Sequence, residues 1–249
     1  MSEEPLSEDA DGIKREKAVV VEAQALDYAY GTGPQRRQVL SDINLVVREG
    51  DVVLLTGPSG SGKTTLLTLI GTLRHIQEGQ LSLFGKDVSK TTTKELLRLR
   101  NRVRFVFQRH NLLGSLNVLQ NVISGIMVTP LSDPEWDEQR AVALLDTLGL
   151  GEKVKSWPDQ LSGGQQQRVA IARALVSLPD LILADEPTAS LDRESGRIAL
   201  EQMRALANRI NCAVVISSHD ERIFDIATRR VHIDDGHLRE LETTGTNPS

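Results

Sequence analysis

The chain reads as an α/β protein: a parallel sheet, helices packed on it, and one long helical insertion. Three observations predict this. First, Asp51-Val-Val-Leu-Leu-Thr56 is a short apolar strand that leads through a glycine-rich loop into Thr64-Thr-Leu-Leu-Thr-Leu-Ile70, a buried helix start. Second, Leu181-Ile-Leu-Ala184 and Ala213-Val-Val-Ile216 are apolar throughout, the pattern of parallel strands covered on both faces. Third, residues from about 109 to 178 carry helical patterns with little strand between them, which suits an insertion into an α/β domain.

The loop between the first strand and helix is Gly57-Pro58-Ser59-Gly60-Ser61-Gly62-Lys63-Thr64. It fits G-x-x-x-x-G-K-[ST] at every fixed position. Glycines let a chain curl where a Cβ would collide, so backbone N–H groups converge on one anion. Lys63 is placed to reach the β- and γ-phosphates of a nucleoside triphosphate, and the Thr64 hydroxyl to hold Mg²⁺.

Composition narrows the setting. The chain has 249 residues, 39% hydrophobic and 25% charged, with a net charge of −5. That mild acidity gives no electrostatic case for a nucleic-acid partner. One cysteine, Cys212, excludes an internal disulfide and reads as a small buried side chain. No apolar run is long enough for a helix to cross a bilayer. The N-terminus is acidic, unlike a secretory signal. The expectation is a cytoplasmic protein whose membrane role comes through a partner.

In order, residues 1–17 read as a disordered acidic leader and 18–242 as one domain. Ala18–Glu22 opens a strand, and Tyr28 and Tyr30 follow it. Either ring could stack on a base or fill the core. Val39–Val47 alternates as a half-buried strand, and Glu49-Gly50 reads as a hairpin turn into the Asp51 strand. Gly79–Gly85 is a short strand, Thr93–Arg100 a short amphipathic helix, and Val103–Phe107 a strand that delivers Gln108 at its end. A glutamine there could orient water or touch Mg²⁺. Leu116–Met127 reads as a helix interrupted by Pro130 and Pro134, and Trp136–Leu148 as an amphipathic helix closed by Gly149. In Leu161-Ser162-Gly163-Gly164-Gln165, Ser162 can cap the next helix with Gln165 at its third position. The exposed first N–H groups of that helix make a second anion site. Asp185 and Glu186 end a buried strand, a costly placement without a metal or protein partners. Asp185 would lie beside Mg²⁺, and Glu186 could take a proton from attacking water. His219, just past the Ala213–Ser217 strand, is a γ-phosphate candidate. Gly196–Arg209 is a helix, and Arg230–Leu238 a closing hairpin turned at Asp235-Gly236. Residues 243–249 read as a flexible tail.

Taken together, these motifs resemble the nucleotide-binding subunits of ATP-binding-cassette transporters over about residues 19 to 240. Leu161-Ser-Gly-Gly-Gln165 matches the family signature; Gly57–Thr64 matches its Walker A motif, and Leu181–Asp185 its Walker B motif. Gln108, Glu186, Ala189–Asp192 and His219 match the glutamine loop, catalytic glutamate, crossing loop and switch histidine. The resemblance implies a P-loop NTPase (RecA-like) core with an antiparallel β subdomain and an inserted α-helical subdomain at 109–178. It favours Tyr30 over Tyr28 as the adenine-stacking ring. It places ATP and Mg²⁺ on Tyr30, Gly57 to Thr64 and Thr65, with metal contacts from Thr64, Gln108 and Asp185. Ser217-Ser218 and Gln166-Gln167 depart from common family choices without touching a mechanistic requirement.

Thr56–Leu73, Gln77–Gly79, Asn111–Gly114 and Leu175-Val176 look like the DevA-type ATPases of exporters, which group with lipoprotein-releasing and macrolide-exporting ATPases. That implies two ATP molecules sandwiched between two copies of the chain. Ser162, Gly163, Gly164 and Gln165 of one copy then meet the ATP held at Lys63 of the other. It also implies an integral-membrane permease docked on the helical insertion, a periplasmic adaptor with an outer-membrane tunnel, and a seat on the cytoplasmic face of the inner membrane. The implied substrate is a lipid or glycolipid. The same domain would serve an importer, or an FtsE-like ATPase that signals across a membrane; the partner distinguishes these.

Overall fold

The computed structural model describes residues 17–126 and 133–241. The leader but for Lys17, the tail, Met127 and Pro130 therefore lie outside the described residues.

In chain order the elements are β1 (Val19–Tyr30), β2 (Arg37–Arg48), β3 (Val52–Thr56), α1 (Lys63–Ile70), β4 (Glu78–Leu83), β5 (Lys86–Asp87), α2 (Thr93–Arg102), β6 (Val103–Phe107), α3 (Val118–Ile123), α4 (Pro134–Thr147), α5 (Gly163–Leu175), β7 (Leu181–Asp185), α6 (Arg193–Arg209), β8 (Ala213–Ser217), β9 (Arg229–Asp234) and β10 (His237–Leu241). They form two sheets. One has the order β2-β1-β4-β5 and is antiparallel; the other runs β10-β9-β3-β8-β7-β6. In the second, β9, β3, β8, β7 and β6 are parallel, and β10 returns antiparallel along the edge.

The period-two alternation of the central strands divides the core. Val52 and Leu54, Ile182 and Ala184, and Val214 and Ile216 face one apolar cluster with α3, α4, α5 and α6. Val53 and Leu55, Leu181 and Leu183, and Ala213 and Val215 face a second cluster with α1 and the antiparallel sheet. All twelve of these side chains are buried, which is why the sequence shows unbroken apolar runs there. Cys212 is fully buried at the start of β8, and that burial pushes its thiol up to about 12.

Several expectations need correction. Glu49-Gly50 is not a hairpin turn: β2 pairs with β1 and β3 with β8 and β9, so the chain passes there from one sheet to the other. Pro134 starts α4 rather than interrupting a helix, because a proline at the first helical turn loses no hydrogen bond. Asp133 caps that helix by accepting from the Glu135 N–H at 3.1 Å. Trp136 is 70% exposed while Asp137 is buried in contact with Arg140. Asp137 lies four residues before Ala141 and eight before Leu145, so helical geometry sets it on the buried stripe. α3 is shorter than the Leu116–Met127 pattern. α6 begins at Arg193, three residues before Gly196, because Asp192 caps it through the Ser195 N–H at 3.0 Å.

Candidate functional site

β3 delivers the glycine loop to the C-terminal edge of the parallel sheet, where crevices of open α/β sheets bind ligands. Two glycines make its curl. Gly57 has φ 143°, and a Cβ there would run into the Ile233 carbonyl oxygen. Gly62 has φ 110°, and a Cβ would sit 2.7 Å from Leu40 Cδ2. So folded, the loop lets Lys63 turn back over it. Its Nζ donates to the carbonyls of Gly57 at 2.8 Å and Pro58 at 3.0 Å. An ammonium has three donors, so one remains for a ligand.

The acidic side is built by β7 and β8, in register at Asp185 and Ser217. Thr64 Oγ1 donates to both Asp185 carboxylate oxygens at 3.0 and 2.9 Å. Ser217 Oγ donates to Asp185 Oδ1 at 2.6 Å and accepts from the Glu186 N–H at 3.0 Å. The Ser217 carbonyl accepts from the same N–H at 3.1 Å. Glu186 has φ 45°, a left-handed conformation that costs a non-glycine residue about 1–3 kcal/mol. The two bonds from Ser217 hold it there, and the turn aims its carboxylate away from the strand at His219 Nδ1, 3.0 Å distant. Ser217 is the organising residue that the sequence reading passed over. Its signal was positional: a polar residue ending the strand next to the one that ends in Asp185.

Lys63, Thr64, Gln108, Glu186 and His219 line a single cleft of about 810 Å³. Ser59, Gly60, Gly62 and Thr65 join them from the loop and α1. Gly57 and Pro58 lie behind Lys63, and Ser61 is buried. Tyr30 lines the far end, 38% exposed, while Tyr28 is buried in the core beside it. Arg37, which pairs with Tyr30 across β1 and β2, and Val39 complete that end; neither was singled out as a binding residue from sequence.

The donor set suits Mg²⁺. The Thr64 hydroxyl and the Asp185 carboxylate meet at one point, and Gln108 lines the same cleft as Thr64. A few hard protein oxygens, with phosphate and water completing the octahedron, is how this ion is held. Among the described residues no group of three or more His, Cys, Asp and Glu gathers to hold a metal by itself.

Four of the expected residues stand apart from the cleft. Ser162 Oγ accepts from the Gln165 N–H at 3.3 Å, and Gln165 Oε1 accepts from the Ser162 N–H at 2.9 Å. Both side chains are thus engaged in capping α5. Gly163 is exposed, but Gly164 is buried against Ser195, where a Cβ would come within 3.0 Å.

A family model described as ABC transporter matches residues 40–189, from β2 past Asp185 to Ala189. The chain belongs to the ABC transporter family. It is 38% identical over 226 residues to the lipoprotein-releasing system ATP-binding protein LolD of Shewanella oneidensis, covering 90% of this chain and 98% of that protein. It is 40% identical over 237 residues to the macrolide export ATP-binding/permease protein MacB of Aggregatibacter actinomycetemcomitans; the match covers 92% of this chain but only 36% of that protein. A dimeric ATP-binding cassette solved in a post-hydrolysis state with ADP and Pi superposes with a TM-score of 0.81 at 35% identity, covering 90% of this chain and 99% of that one. The protein is thus an ABC-type ATPase of the group that the sequence resembled, with a P-loop NTPase fold. No helix among its described residues is long and apolar enough to cross a membrane.

Proposed function

We propose that this ABC ATPase is the motor subunit of an exporter or extractor of lipid or glycolipid, binding Mg·ATP in the Lys63–Glu186 cleft and working as a pair of copies on the cytoplasmic face of a membrane. The observation that carries this is the division of its anion-binding groups. The phosphate loop, Thr64 with Asp185 bonded to it, and the Glu186–His219 pair gather at one cleft, whereas the capped start of α5 stands outside it. A second copy in head-to-tail apposition would bring its α5 N-terminus to the first copy's cleft, and two-fold symmetry would make two such sites. The dimeric state in the name of the solved relative supports the pairing. The lipoprotein-releasing name of one sequence relative supports a lipid-bearing substrate, and the ATP-binding/permease name of another supports a permease partner, for which the helical insertion is the proposed dock.

In this reading the loop N–H groups and Lys63 hold the β- and γ-phosphates, and Tyr30 stacks on the adenine. Thr64 and Asp185, with Gln108, would hold Mg²⁺, which when bound would supply charge neutralisation on the phosphates. Glu186 accepts the proton of the water that attacks the γ-phosphorus, with the new P–O bond forming as the bond to the β-phosphate oxygen breaks. His219 fixes the Glu186 carboxylate and the γ-phosphate together. Gln108, at the end of β6, passes phosphate occupancy to the helical insertion.

Glu186→Gln keeps the side chain's shape and removes the base. We expect ATP turnover to fall about 10²- to 10⁴-fold while ATP binding persists and an ATP-dependent dimer accumulates on size exclusion. Wild-type turnover in this variant would remove Glu186 from its role.

A further inference from the structure

The connection from the end of α1 to β4 grips the end of β1 from outside the cleft. Arg74 lies on it, with its guanidinium carbon 4.9 Å from the Tyr30 ring centroid and 5.8 Å from that of Tyr28. Its Nη1 donates to the Tyr28 hydroxyl at 3.3 Å and its Nε to Thr68 Oγ1 at 3.2 Å. Three residues on, Gln77 clasps the intervening residue on both sides. Its Oε1 accepts from the Ala29 N–H at 2.8 Å, and its Nε2 donates to the Ala29 carbonyl at 2.9 Å. The buried Tyr28 ring meets Tyr30 edge-on at 5.2 Å. The Tyr30 hydroxyl is tied to Thr65 Oγ1 on α1 at 3.1 Å.

Tyr30 is therefore held through the backbone of Ala29 beside it, the near-perpendicular Tyr28 ring, its own hydroxyl and the Arg74 guanidinium. Arg74 and Gln77 do not line the cleft, whereas Tyr30 does. Arg74 thus approaches the ring from outside the cleft, while Tyr30 itself is 38% exposed and lines it. An exposed aromatic ring normally samples several rotamers, and fixing it on binding costs free energy. A ring fixed beforehand spares that cost.

We infer that Arg74 is a positioning residue for nucleotide binding, which with Gln77 pre-sets the Tyr30 ring as a platform for the base. This rests on the reading of Tyr30 as the base-stacking residue. Arg74 does not line the cleft, so its influence on the nucleotide passes through Tyr30. A guanidinium over a partly exposed ring contributes about two- to fivefold in the equilibrium it biases, and that is the size of effect to expect. The base contributes through its face, so the effect follows the presence of a base and not the phosphates.

The test is a titration of the full chain with ATP and with inorganic tripolyphosphate, which has the phosphates and no base. Arg74→Ala should raise the Kd for ATP about two- to fivefold and leave that for tripolyphosphate unchanged. Arg74→Lys keeps a cation near the ring and should recover part of the loss. In a Tyr30→Ala background, Arg74→Ala should add nothing. Equal weakening of both ligands by Arg74→Ala, or additive losses in the double variant, would overturn the inference. If Tyr30→Ala weakens ATP binding and Arg74→Ala does not, the inference falls and the stacking reading stands. If Tyr30→Ala leaves ATP binding unchanged, the stacking reading falls and takes this inference with it.

Discussion

The phosphate-loop core and the helical insertion are held together by different physics. In the core, β3, β7 and β8 present buried aliphatic side chains to both faces of the sheet, and the backbone satisfies its own hydrogen bonds in the ladders. The insertion also has an apolar face, but its junction with Gln108 is a loop without regular structure, and buried and half-buried polar side chains satisfy that loop. Asn121, fully buried, accepts from the Leu113 N–H at 2.8 Å and donates to the carbonyls of Leu113, Leu116 and Asn117. Arg173 donates to the carbonyls of His110 and Asn111 at 2.6 and 2.7 Å. Those two residues both have positive φ, and the His110 ring meets the buried Gln167 side chain. A packed core has one arrangement, whereas a loop held by a few directional bonds can exchange them as a set. The contrast sets a rigid floor for phosphates beside a connection suited to moving with what happens on it.

The largest stability effect should come from the core. Leu183 is fully buried against the α1 side of the sheet. Leu183→Ala should cost about 2–5 kcal/mol, read as a loss of unfolding free energy in urea. Its loop amides should be untouched. The Leu113 N–H exchanges through opening of its own loop, and the Leu183 cavity is present in both the closed and the locally open states. Faster exchange at Leu113 in step with the global loss would mean that core and junction open as one unit, and the comparison would fail.

Asn121→Ala is the reciprocal change. It strips the part-buried Leu113 N–H of its partner and removes the bonds of a fully buried amide, at about 1–3 kcal/mol. Here amide exchange at Leu113 should accelerate, unlike in Leu183→Ala. An unchanged rate at Leu113 would show that the loop is held by something other than this side chain.

What could be read from the sequence follows the same division. The apolar runs at 52–55, 181–184 and 213–216 reported the central sheet because burial on both faces leaves no choice of residue. The glycine loop and the Ser162–Gln165 capping box were legible because each is a local backbone requirement written in fixed spacings. The Glu49-Gly50 turn misled because a turn signal states that the chain reverses and not which strand it pairs with afterwards. Ser217 left only a positional signal at the end of its strand, and Arg37, Arg74 and Asn121 were invisible for another reason. Arg74 acts on Tyr30 across a long sequence separation, and Asn121 and Arg37 act on an irregular loop and across a strand pair; neither spacing nor periodicity records such contacts. Asn111 entered only through the resemblance of Asn111–Gly114, and nothing local to the sequence marks the positive φ of His110 and Asn111.

The smallest stability effect is expected at Ser162, and it separates two explanations of the same residue. As a helix cap, Ser162 is worth about 1 kcal/mol through the bond from the Gln165 N–H. Aspartate caps a helix as well as serine does, and its charge is favourable at a helix N-terminus. Ser162→Asp should therefore leave the unfolding free energy within about 0.5 kcal/mol of the parent. ATP binding to a single copy should also persist, since Ser162 lies outside the Lys63 cleft. The proposed sandwich is another matter. There the same carboxylate would face the γ-phosphate held by the partner copy, and two like charges in a closing interface oppose it strongly. In a Glu186→Gln background, ATP should then no longer drive dimer formation on size exclusion, although the fold and the first binding step are intact. Ser162→Ala supplies the control, because it loses about 1 kcal/mol of capping without adding charge. A Ser162→Asp chain that is stable, binds ATP and still dimerises with it would leave Ser162 as a cap only, and the start of α5 would have to be removed from the site.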